Sequence, residues 1–384
     1  MNNQVQQAKE LFEQKFGTTP KVFFSPGRIN LIGEHVDYNN GFVMPAAIDK
    51  GVVFAIAPNN TTRLRVHSID MKEDLELELD QVAPKEGWAN YILGVVDQFQ
   101  KRGLPIKGFD VAFGGNLPAG AGLSSSAAVE CGLASGLNTI FNAGLSRVDI
   151  ALLSQKAEHT FPGVKCGIMD QFANMMGEKD HVLLLDCDTM EYKALPLQLQ
   201  GHVIMLINTK VHHSLASGEY NVRRQQCETG LAILKEIYPG TTTFRDLTPE
   251  QVQQAEGKLD KDVYRRCLFV TQEIQRTQKA AVLLQDHKLK EFGQLMFATH
   301  EGLSKLYDVS CPELDFLVEQ AKEHPAIVGS RLMGGGFGGC TINIVEEAQA
   351  SGIAAKISEA YKAKFNVDAE VYIMQTGNGT YEIA

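Results

Sequence analysis

The sequence of 384 residues contains no long apolar run and no excess of positive charge. No segment approaches the roughly 18 consecutive apolar residues that mark a membrane-spanning helix. Lys and Arg total 36 against 46 Asp and Glu, which gives a formal net charge of -10. Such a charge is unfavourable for general attraction to nucleic acid or to anionic lipid. We therefore expect neither a nucleic-acid partner nor a membrane span.

Cysteine pairs of the C-x-x-C type are also missing. The seven cysteines are odd in number and widely scattered, which argues against a disulfide framework and against structural zinc. The first 17 residues are polar with apolar positions at helical spacing, and they lack the apolar core of a signal peptide. These features predict a cytoplasmic protein with reduced thiols, and a monomer is the expected state.

The length is about two and a half times that of a typical domain of about 150 residues, so two domains are expected. Hydrophobic residues make up 44% and charged residues 21% of the chain, as in soluble globular proteins. Strand patterns open the first half, whereas residues 219–322 are mainly helical in pattern. We place the boundary near residue 200, between an N-terminal lobe of residues 1–200 and a C-terminal lobe of residues 201–384.

A lysine is missing from the glycine-rich loop at residues 117–128, which reads LPAGAGLSSSAA. Because G-x-x-x-x-G-K-[ST] requires that lysine, the loop is not a Walker A motif. It nevertheless runs into a predicted helix at about residues 125–141, and the unpaired N–H groups of a helix N-terminus bind phosphate. The alternative is a flexible loop followed by a serine-capped helix.

Without that lysine, a metal ion is the natural candidate to offset the charge of a bound triphosphate. The hydroxyl of Ser126 and the carboxylate of Glu158 would supply hard oxygen ligands, which suit Mg²⁺. Glu158 stands near the end of its predicted helix, where simple solvation is the alternative. The pair is therefore a candidate magnesium site.

Residues 25–45, SPGRINLIGEHVDYNNGFVMP, concentrate polar side chains between glycine and proline. This composition is untypical of a core strand and favours the wall of a polar pocket. Glu34 and Asp37 can each accept hydrogen bonds from adjacent hydroxyls of a polyol, and His35 can fill a remaining position. The alternative is a solvated, charged turn between two strands.

Asp170 stands between the loop at residues 162–170 and an apolar helix, a position where aspartate is most often an N-cap. If the loop at residues 117–128, the phosphate loop, and the polar wall at residues 25–45 share one cleft, Asp170 becomes a candidate base for a hydroxyl proton. Arg28 would then lie near it and stabilise charge. His212 and His213 would point to opposite faces of a strand, so we interpret them as structural or surface residues.

A second glycine-rich stretch, residues 334–339, contains G-x-G-x-x-G. A dinucleotide-binding loop follows a strand and opens a helix, whereas here a strand pattern follows the glycines. A nicotinamide oxidoreductase is therefore not favoured. A glycine loop between two strands instead lets the backbone pack tightly against a neighbouring loop or a ligand.

Three of these segments, taken in their order along the chain, resemble motifs of the GHMP small-molecule kinases. Residues 27–38, GRINLIGEHVDY, resemble the signature of the galactokinase branch, which is specific. Residues 117–128 resemble the phosphate-binding motif, and residues 332–340 resemble the third glycine motif, both shared across the wider family. Residues 166–171 and 218–221 also match, so the resemblance spans most of the chain.

The resemblance implies an α/β (α+β) fold of two lobes, the first of the ribosomal-protein-S5 type and the second ferredoxin-like, with the active site between them. It implies ATP-dependent phosphorylation of α-D-galactose at the anomeric hydroxyl, the entry step of the Leloir pathway, with ATP as co-substrate and Mg²⁺ as the metal. Arg28 and Asp170 would flank the reacting hydroxyl. The sugar would be held by Glu34, His35, Asp37, Gly167 and Tyr220.

For the nucleotide, the resemblance implies that Ser126 and Glu158 bind Mg²⁺. Trp88 and Tyr91 resemble a segment that lines the adenine pocket, and ordinary aromatic core is the alternative. The phosphates would be surrounded by the backbone of Gly120, Ala121, Gly122, Leu123, Ser124, Ser125 and Ser126.

Two other functions remain open at this point. One is a related GHMP kinase that acts on N-acetylgalactosamine, on arabinose or on a non-sugar alcohol. The other is a non-catalytic galactose sensor of the kind that fungi use, whose phosphate loop lacks a Ser-Ala pair that is intact here as Ser126-Ala127.

Overall fold

The computed structural model describes residues 2–118, 120–211 and 216–384. His212 and His213, which we interpreted as structural, lie outside the described residues. The helices are α1 Asn2–Phe16, α2 Ala89–Lys101, α3 Ser125–Phe141, α4 Arg147–Thr160, α5 Met169–Met176, α6 Ala216–Ile237, α7 Pro249–Gln254, α8 Lys261–Gln285, α9 Leu289–Gly302, α10 Pro312–Lys322 and α11 Ala350–Phe365.

The strands alternate with these helices along most of the chain. They are β1 Lys21–Asn30, β2 Phe42–Val43, β3 Pro45–Pro58, β4 Arg63–Ser68, β5 Glu73–Glu78, β6 Phe109–Gly115, β7 His181–Asp186, β8 Tyr192–Pro196, β9 His202–Asn208, β10 Ile327–Met333, β11 Cys340–Glu346, β12 Glu370–Met374 and β13 Tyr381–Ile383.

The first sheet has the strand order β13-β1-β3-β6-β4-β5. Its neighbours are antiparallel except β4 and β6, which run parallel. Between Pro26 and Arg28 the register of β1 with β3 shifts, and such a bulge re-aims the side chains that follow it. A Cβ on Gly27 would lie 2.8 Å from the carbonyl oxygen of Leu123, so glycine here admits the phosphate loop against β1.

Apolar side chains cover both faces of this sheet. On one face, Phe12 of α1 packs with Phe24 of β1 and Val53 of β3. On the other face, α3 packs over β1 and β3, and α2, α4 and α5 surround α3. The N-terminus of α3 is thereby fixed close to the bulge in β1.

The second sheet has the order β10-β11-β9-β12 and is antiparallel. One face packs on α11 through Ile207 and Ile357. The other face contributes to a core that contains Phe292 of α9 together with Ile29 and Leu31 from the first half of the chain. This shared core joins β10 and the glycine loop after it to the end of β1. A third sheet, β2-β7-β8, lies beside them.

Several predictions from the pattern are confirmed. The predicted helix at residues 125–141 is α3. The pattern Ser146-x-x-Asp149 predicts a capping box, and these two residues form one at the start of α4. The glycines at 334–339 do lie between two strands. Strands β7, β8 and β13 were not predicted, and the division of the chain at residue 200 stays a prediction.

One expectation and two of the alternatives are wrong. Residues 25–30 belong to a buried strand, because the side chains of Ser25 and Arg28 find polar partners inside the protein. Asp170 does not cap α5, whose N-cap is Ile168. Ser124 does not cap α3 with its side chain, because its hydroxyl donates to Asp170. In the part of the chain that the structure describes, no helix has the length and apolar character needed to cross a membrane.

Candidate active site

A cavity of about 200 Å³ lies where the end of β1, the start of α5, the start of α6 and the glycine loop meet. Predicted residues from four separate stretches of sequence share its wall, so the polar wall and the candidate base do meet. The lining residues are Arg28, Glu34, His35, Asp37, Glu158, Val164, Cys166, Met169, Asp170, Tyr220, Gly334 and Gly335.

Arg28 and Asp170 form a two-pronged ion pair in this cavity. The Nε of Arg28 donates to Oδ1 of Asp170 at 2.8 Å, and Nη2 donates to Oδ2 at 3.1 Å. Ser124 donates its hydroxyl to Oδ2 at 2.5 Å. The Arg28 side chain is 5% exposed and that of Asp170 is 24% exposed. Asp170 is therefore held in one orientation and still reaches the cavity.

Arg28 also connects this pair to the phosphate loop. Its Nη1 donates to the carbonyl oxygen of Gly122 at 2.6 Å, and its backbone N–H donates to that of Leu123 at 3.1 Å. Burial by itself would lower the pKa of Arg28, but the carboxylates of Asp170 and Glu34 raise it above its ordinary value. A guanidinium at this point stays charged while it orients oxygen atoms.

Residues 31–37 follow β1 directly, and we call them the sugar loop after the role that the resemblance implies for Glu34, His35 and Asp37. Glu34 in this loop is buried and accepts a hydrogen bond from Nη1 of Arg331 at 2.7 Å. Burial would raise the pKa of Glu34, but the charges of Arg331 and Arg28 hold it below its ordinary value. Glu34 is therefore an ionised acceptor in the cavity wall.

His35 has a left-handed backbone, with φ of 61°, and its ring is buried. Its Nδ1 lies 2.8 Å from the hydroxyl of Tyr38, which in turn lies 2.8 Å from the hydroxyl of Tyr307. Burial lowers the pKa of His35 to about 4, against the opposing charge of Glu34. The imidazole is therefore neutral near pH 7 and can both donate and accept.

Asp37 is packed against Gly167 so closely that no side chain fits between them. A Cβ on Gly167 would lie 2.1 Å from Oδ2 of Asp37. Burial, followed by the charge of Asp170, raises the pKa of Asp37 to about 7, although backbone hydrogen bonds from Tyr38 and Met169 oppose the shift. Gly167 thus acts on the site through the space that it leaves for Asp37.

Tyr220, near the start of α6, closes another side of the cavity. Its ring centroid lies 5.4 Å from that of His35 and 5.4 Å from that of Tyr38. A Cβ on Gly335 would contact the same ring at 3.5 Å. The apolar face of a sugar can stack on such a ring while its hydroxyls face the carboxylates.

The phosphate loop packs backbone to backbone against the third glycine motif. A Cβ on Gly122 would lie 3.1 Å from the carbonyl oxygen of Met333, and one on Gly334 would lie 3.4 Å from that of Gly122. Ser124 has a left-handed backbone, with φ of 57°. The side chain of Ser124, the N-cap residue of α3, makes no capping hydrogen bond, so the first N–H groups of α3 are available to an anion. Gly120 and Ser125 are exposed.

Ser126 lies close enough to Glu158 for its hydroxyl to lower the pKa of that carboxyl. Burial and the charge of Asp170 raise the pKa of Glu158 to about 7, against hydrogen bonds from Ser126, Cys166 and Gln171. No cluster of three or more His, Cys, Asp or Glu side chains in the described residues could hold a metal by itself. Two oxygen ligands fit Mg²⁺, which completes its shell with water and phosphate oxygens.

Trp88 and Tyr91 do not line the cavity. Trp88 donates from Nε1 to Glu73 at 2.6 Å, and its ring packs 5.5 Å from that of Phe113. Burial, followed by the charge of Glu158, raises the pKa of Tyr91 to about 12. Tyr91 is therefore near Glu158, a candidate Mg²⁺ ligand. An adenine-binding role for Trp88 or Tyr91 stays a prediction.

Sequence reasoning missed several residues that shape the site, among them Arg331, Tyr307 and Glu130. Glu130, on α3, is fully buried, and burial followed by the charge of Glu158 raises its pKa well above its ordinary value. Glu130 lies in α3 and Arg331 in β10, both with ordinary patterns, and Tyr307 ends a short π-helix, Leu303–Tyr307. No local signal distinguishes them, because their roles arise from contacts with distant residues.

Three family models match the chain: the galactokinase galactose-binding signature at residues 10–58, the GHMP kinases N terminal domain at residues 90–178 and the GHMP kinases C terminal at residues 280–363. Galactokinase of Clostridium perfringens (strain 13 / Type A) is 40% identical over 382 residues, which cover 98% of this chain and 98% of that protein. The chain belongs to the galactokinase family.

Other members of the galactokinase family agree with this assignment. Galactokinase of Bacillus subtilis (strain 168) is 38% identical over 386 residues, which cover 98% of this chain and 99% of that one. The crystal structure of Lactococcus lactis galactokinase complexed with galactose matches with a TM-score of 0.94 and 32% identity, covering 98% of both chains. Methanococcus jannaschii mevalonate kinase, at 18% identity and a TM-score of 0.66 over 94% of this chain and 99% of that chain, shows the same fold.

The expected fold class is confirmed by these matches and by the mixed helices and sheets. The chain is a kinase of the GHMP type, as expected from the motifs. No comparison favours the N-acetylgalactosamine, arabinose or sensor alternatives.

Proposed function

We propose that this protein catalyses transfer of the γ-phosphoryl group of ATP to the anomeric hydroxyl of α-D-galactose, giving α-D-galactose 1-phosphate and ADP. One observation carries the assignment to particular residues. The paired Arg28 and Asp170 stand in a polar cavity between the sugar loop and the uncapped N-terminus of α3. A hydroxyl held in that cavity would face a phosphate bound at the helix.

The sugar binds through acceptors and donors of different kinds. Glu34 supplies an ionised carboxylate, Asp37 a carboxyl group that titrates near neutral pH, and His35 a neutral imidazole. Tyr220 supplies an aromatic surface. An analogue that lacks or inverts one hydroxyl leaves a buried acceptor unpaired, so discrimination between sugars is strong.

In the chemical step, the anomeric oxygen forms a bond to the γ-phosphorus while the bond from that phosphorus to the bridging oxygen of ADP breaks. Asp170 accepts the hydroxyl proton, and Arg28 fixes the orientation of the Asp170 carboxylate. N–H groups at the start of α3 hold the phosphates. Ser126 and Glu158 would hold Mg²⁺, which when bound neutralises charge on the β- and γ-phosphates.

The test is a coupled assay of ADP release with a panel of monosaccharides, with and without Mg²⁺. We expect ADP with galactose and Mg²⁺, and little with glucose, which differs from galactose at one carbon. Loss of ADP release on chelation and its return with added Mg²⁺ supports the metal. Equal rates with glucose would contradict the sugar assignment, and no turnover with any sugar would contradict the activity.

We also infer that the protein acts in the cytoplasm as a monomer, with ATP as its co-substrate. The seven cysteines are free, and six of them are buried, which suits a reducing compartment. Light scattering of the purified protein at the mass of one chain, 42.2 kDa, supports the monomer. A mass of two or more chains contradicts it.

A further inference from the structure

Arg331 is a charged side chain of the second half of the chain that reaches into the sugar loop. It lies near the end of β10, three residues before the first glycine of the loop at 334–339, and it is fully buried. A buried guanidinium is costly unless all of its donors are used. The hydrogen-bond partners of Arg331 therefore indicate its structural role.

All three nitrogens of the Arg331 side chain donate hydrogen bonds. Nε donates to the carbonyl oxygen of Leu31 at 2.9 Å, and Nη2 donates to that of Asn30. Nη1 donates to Oε2 of Glu34 at 2.7 Å and to the carbonyl oxygen of Leu332 at 2.5 Å. The guanidinium thus hydrogen-bonds both the backbone at the start of the sugar loop and the Glu34 carboxylate in that loop.

The geometry favours arginine over lysine at this position. The partners lie in different directions around one planar group, and an ammonium on a flexible stem cannot reach them together. Glu34 is also faced by Arg28 of β1 and by its neighbours His35 and Asp37. The side chain of Arg28 donates its hydrogen bonds to Asp170 and Gly122. Arg331 is therefore the cation that hydrogen-bonds Glu34.

We propose that Arg331 is a positioning residue for galactose, which fixes the Glu34 carboxylate in the direction of a sugar hydroxyl. Arg331 itself does not line the cavity, so it acts through Glu34. Its hydrogen bonds to the carbonyl oxygens of Asn30 and Leu31 fix the start of the loop that carries this carboxylate. This inference rests on the proposed function, because it takes galactose as the ligand.

The experiment compares Arg331→Lys with Arg266→Lys as a matched control. Arg266 is also buried, at 2% exposure, and its Nη1 and Nη2 likewise hold the carbonyl oxygen of Leu306 and a carboxylate oxygen of Asp308. It lies outside the cavity wall. Galactose affinity is measured by titration calorimetry, the KM values for galactose and ATP by steady-state kinetics, and folding by thermal melting.

For Arg331→Lys we expect the galactose KM and dissociation constant to rise about 10- to 100-fold, the range for losing a charge-assisted hydrogen bond. The KM for ATP should stay within about threefold, because the phosphate loop keeps its contacts. Arg266→Lys should lower the melting temperature without changing the galactose KM by more than about threefold. An Arg331→Lys protein that melts earlier but binds galactose like the unmodified protein would overturn the inference.

A second comparison covers the case in which Arg331→Lys fails to fold. The double variant Arg331→Gln with Glu34→Gln leaves no unpaired buried charge and is measured against Glu34→Gln alone. Because Arg331 acts through Glu34, the two should differ in galactose KM by less than about threefold. A further loss of about tenfold or more would show that Arg331 acts by another route. Failure of the unmodified protein to bind galactose would overturn both this inference and the proposed function.

Discussion

Replacing Gly167 with alanine would place a methyl group inside the sugar site without removing any polar group. The added Cβ would lie 2.1 Å from Oδ2 and 2.2 Å from Cγ of Asp37. Carbon atoms in contact keep about 3.5–4.0 Å between them, so Asp37 must move by more than about 1 Å. Asp37 is buried at 9% exposure and lines the cavity, so its displacement changes the shape of the proposed sugar site.

The expected magnitude follows from what Asp37 contributes. A hydrogen bond to a neutral group is worth about 1 kcal/mol and one to a charged group up to about 3 kcal/mol. The Asp37 carboxyl, with a pKa raised to about 7, is partly ionised near neutral pH, so the loss lies between these values. At about 1.4 kcal/mol for each factor of ten, the galactose KM should rise about 5- to 150-fold.

The assay is steady-state ADP release at varied galactose, with ATP varied in a second series. Gly352→Ala is the matched control, because a Cβ there meets nothing within 4 Å and the residue lies in α11, away from the cavity. The ATP KM should stay within about threefold of the unmodified value in both variants. A Gly167→Ala protein that keeps the unmodified galactose KM would refute the claim that Asp37 holds the sugar from this position.

Three further predictions concern Asp170, Arg28 and Asp37. Asp170→Asn should lower kcat about 10²- to 10⁴-fold if Asp170 accepts the hydroxyl proton, and near-normal turnover in single-turnover mixing would remove it as the base. Arg28→Lys keeps the charge but loses the pair of hydrogen bonds from the planar guanidinium to the Asp170 carboxylate, so kcat should fall at least about tenfold. Unchanged kinetics would exclude Arg28 from the site. The folded-state pKa of Asp37, about 7, lies above its unfolded value. The folded protein therefore binds an extra proton, and stability from this group is lost as pH rises towards and through 7. Between about pH 5 and about pH 8, the melting temperature should fall less for Asp37→Asn than for the unmodified protein. Equal falls in the two proteins would contradict the raised pKa of Asp37.

Periodicity and loop chemistry were sufficient to predict much of the fold. The bounds of α3 and the capping box of α4 were predictable because both are set by neighbouring residues. Strand β8 was missed because it is mostly exposed, and β13 because it has only three residues. Strand β7 was missed because its continuous apolar run does not distinguish a strand from a buried helix. β13 exists through its pairing with β1 from the other end of the chain. Such pairing leaves no local pattern.

The candidate site divides in the same way. Residues with unusual local chemistry, such as Glu34, Asp37 and Asp170, could be chosen from the sequence. The burial of residues 25–30 as a strand could not, because it depends on partners such as Asn174, which is 149 residues from Ser25. Arg331 was missed for the same reason, since its contact with Glu34 joins residues 297 positions apart.

The position of the new phosphate on the sugar tests the central claim most directly. A ¹H–³¹P correlation NMR spectrum of the product from galactose, ATP and Mg²⁺, recorded with a proton-coupled ³¹P spectrum, distinguishes the acceptor hydroxyls, because the phosphorus couples to the hydrogens on the carbon that bears it and the correlation identifies those hydrogens. We predict a doublet from the single anomeric proton of α-D-galactose 1-phosphate. A triplet from a CH₂ group, which marks a phosphate on C6, or the absence of any sugar phosphate, would contradict the account.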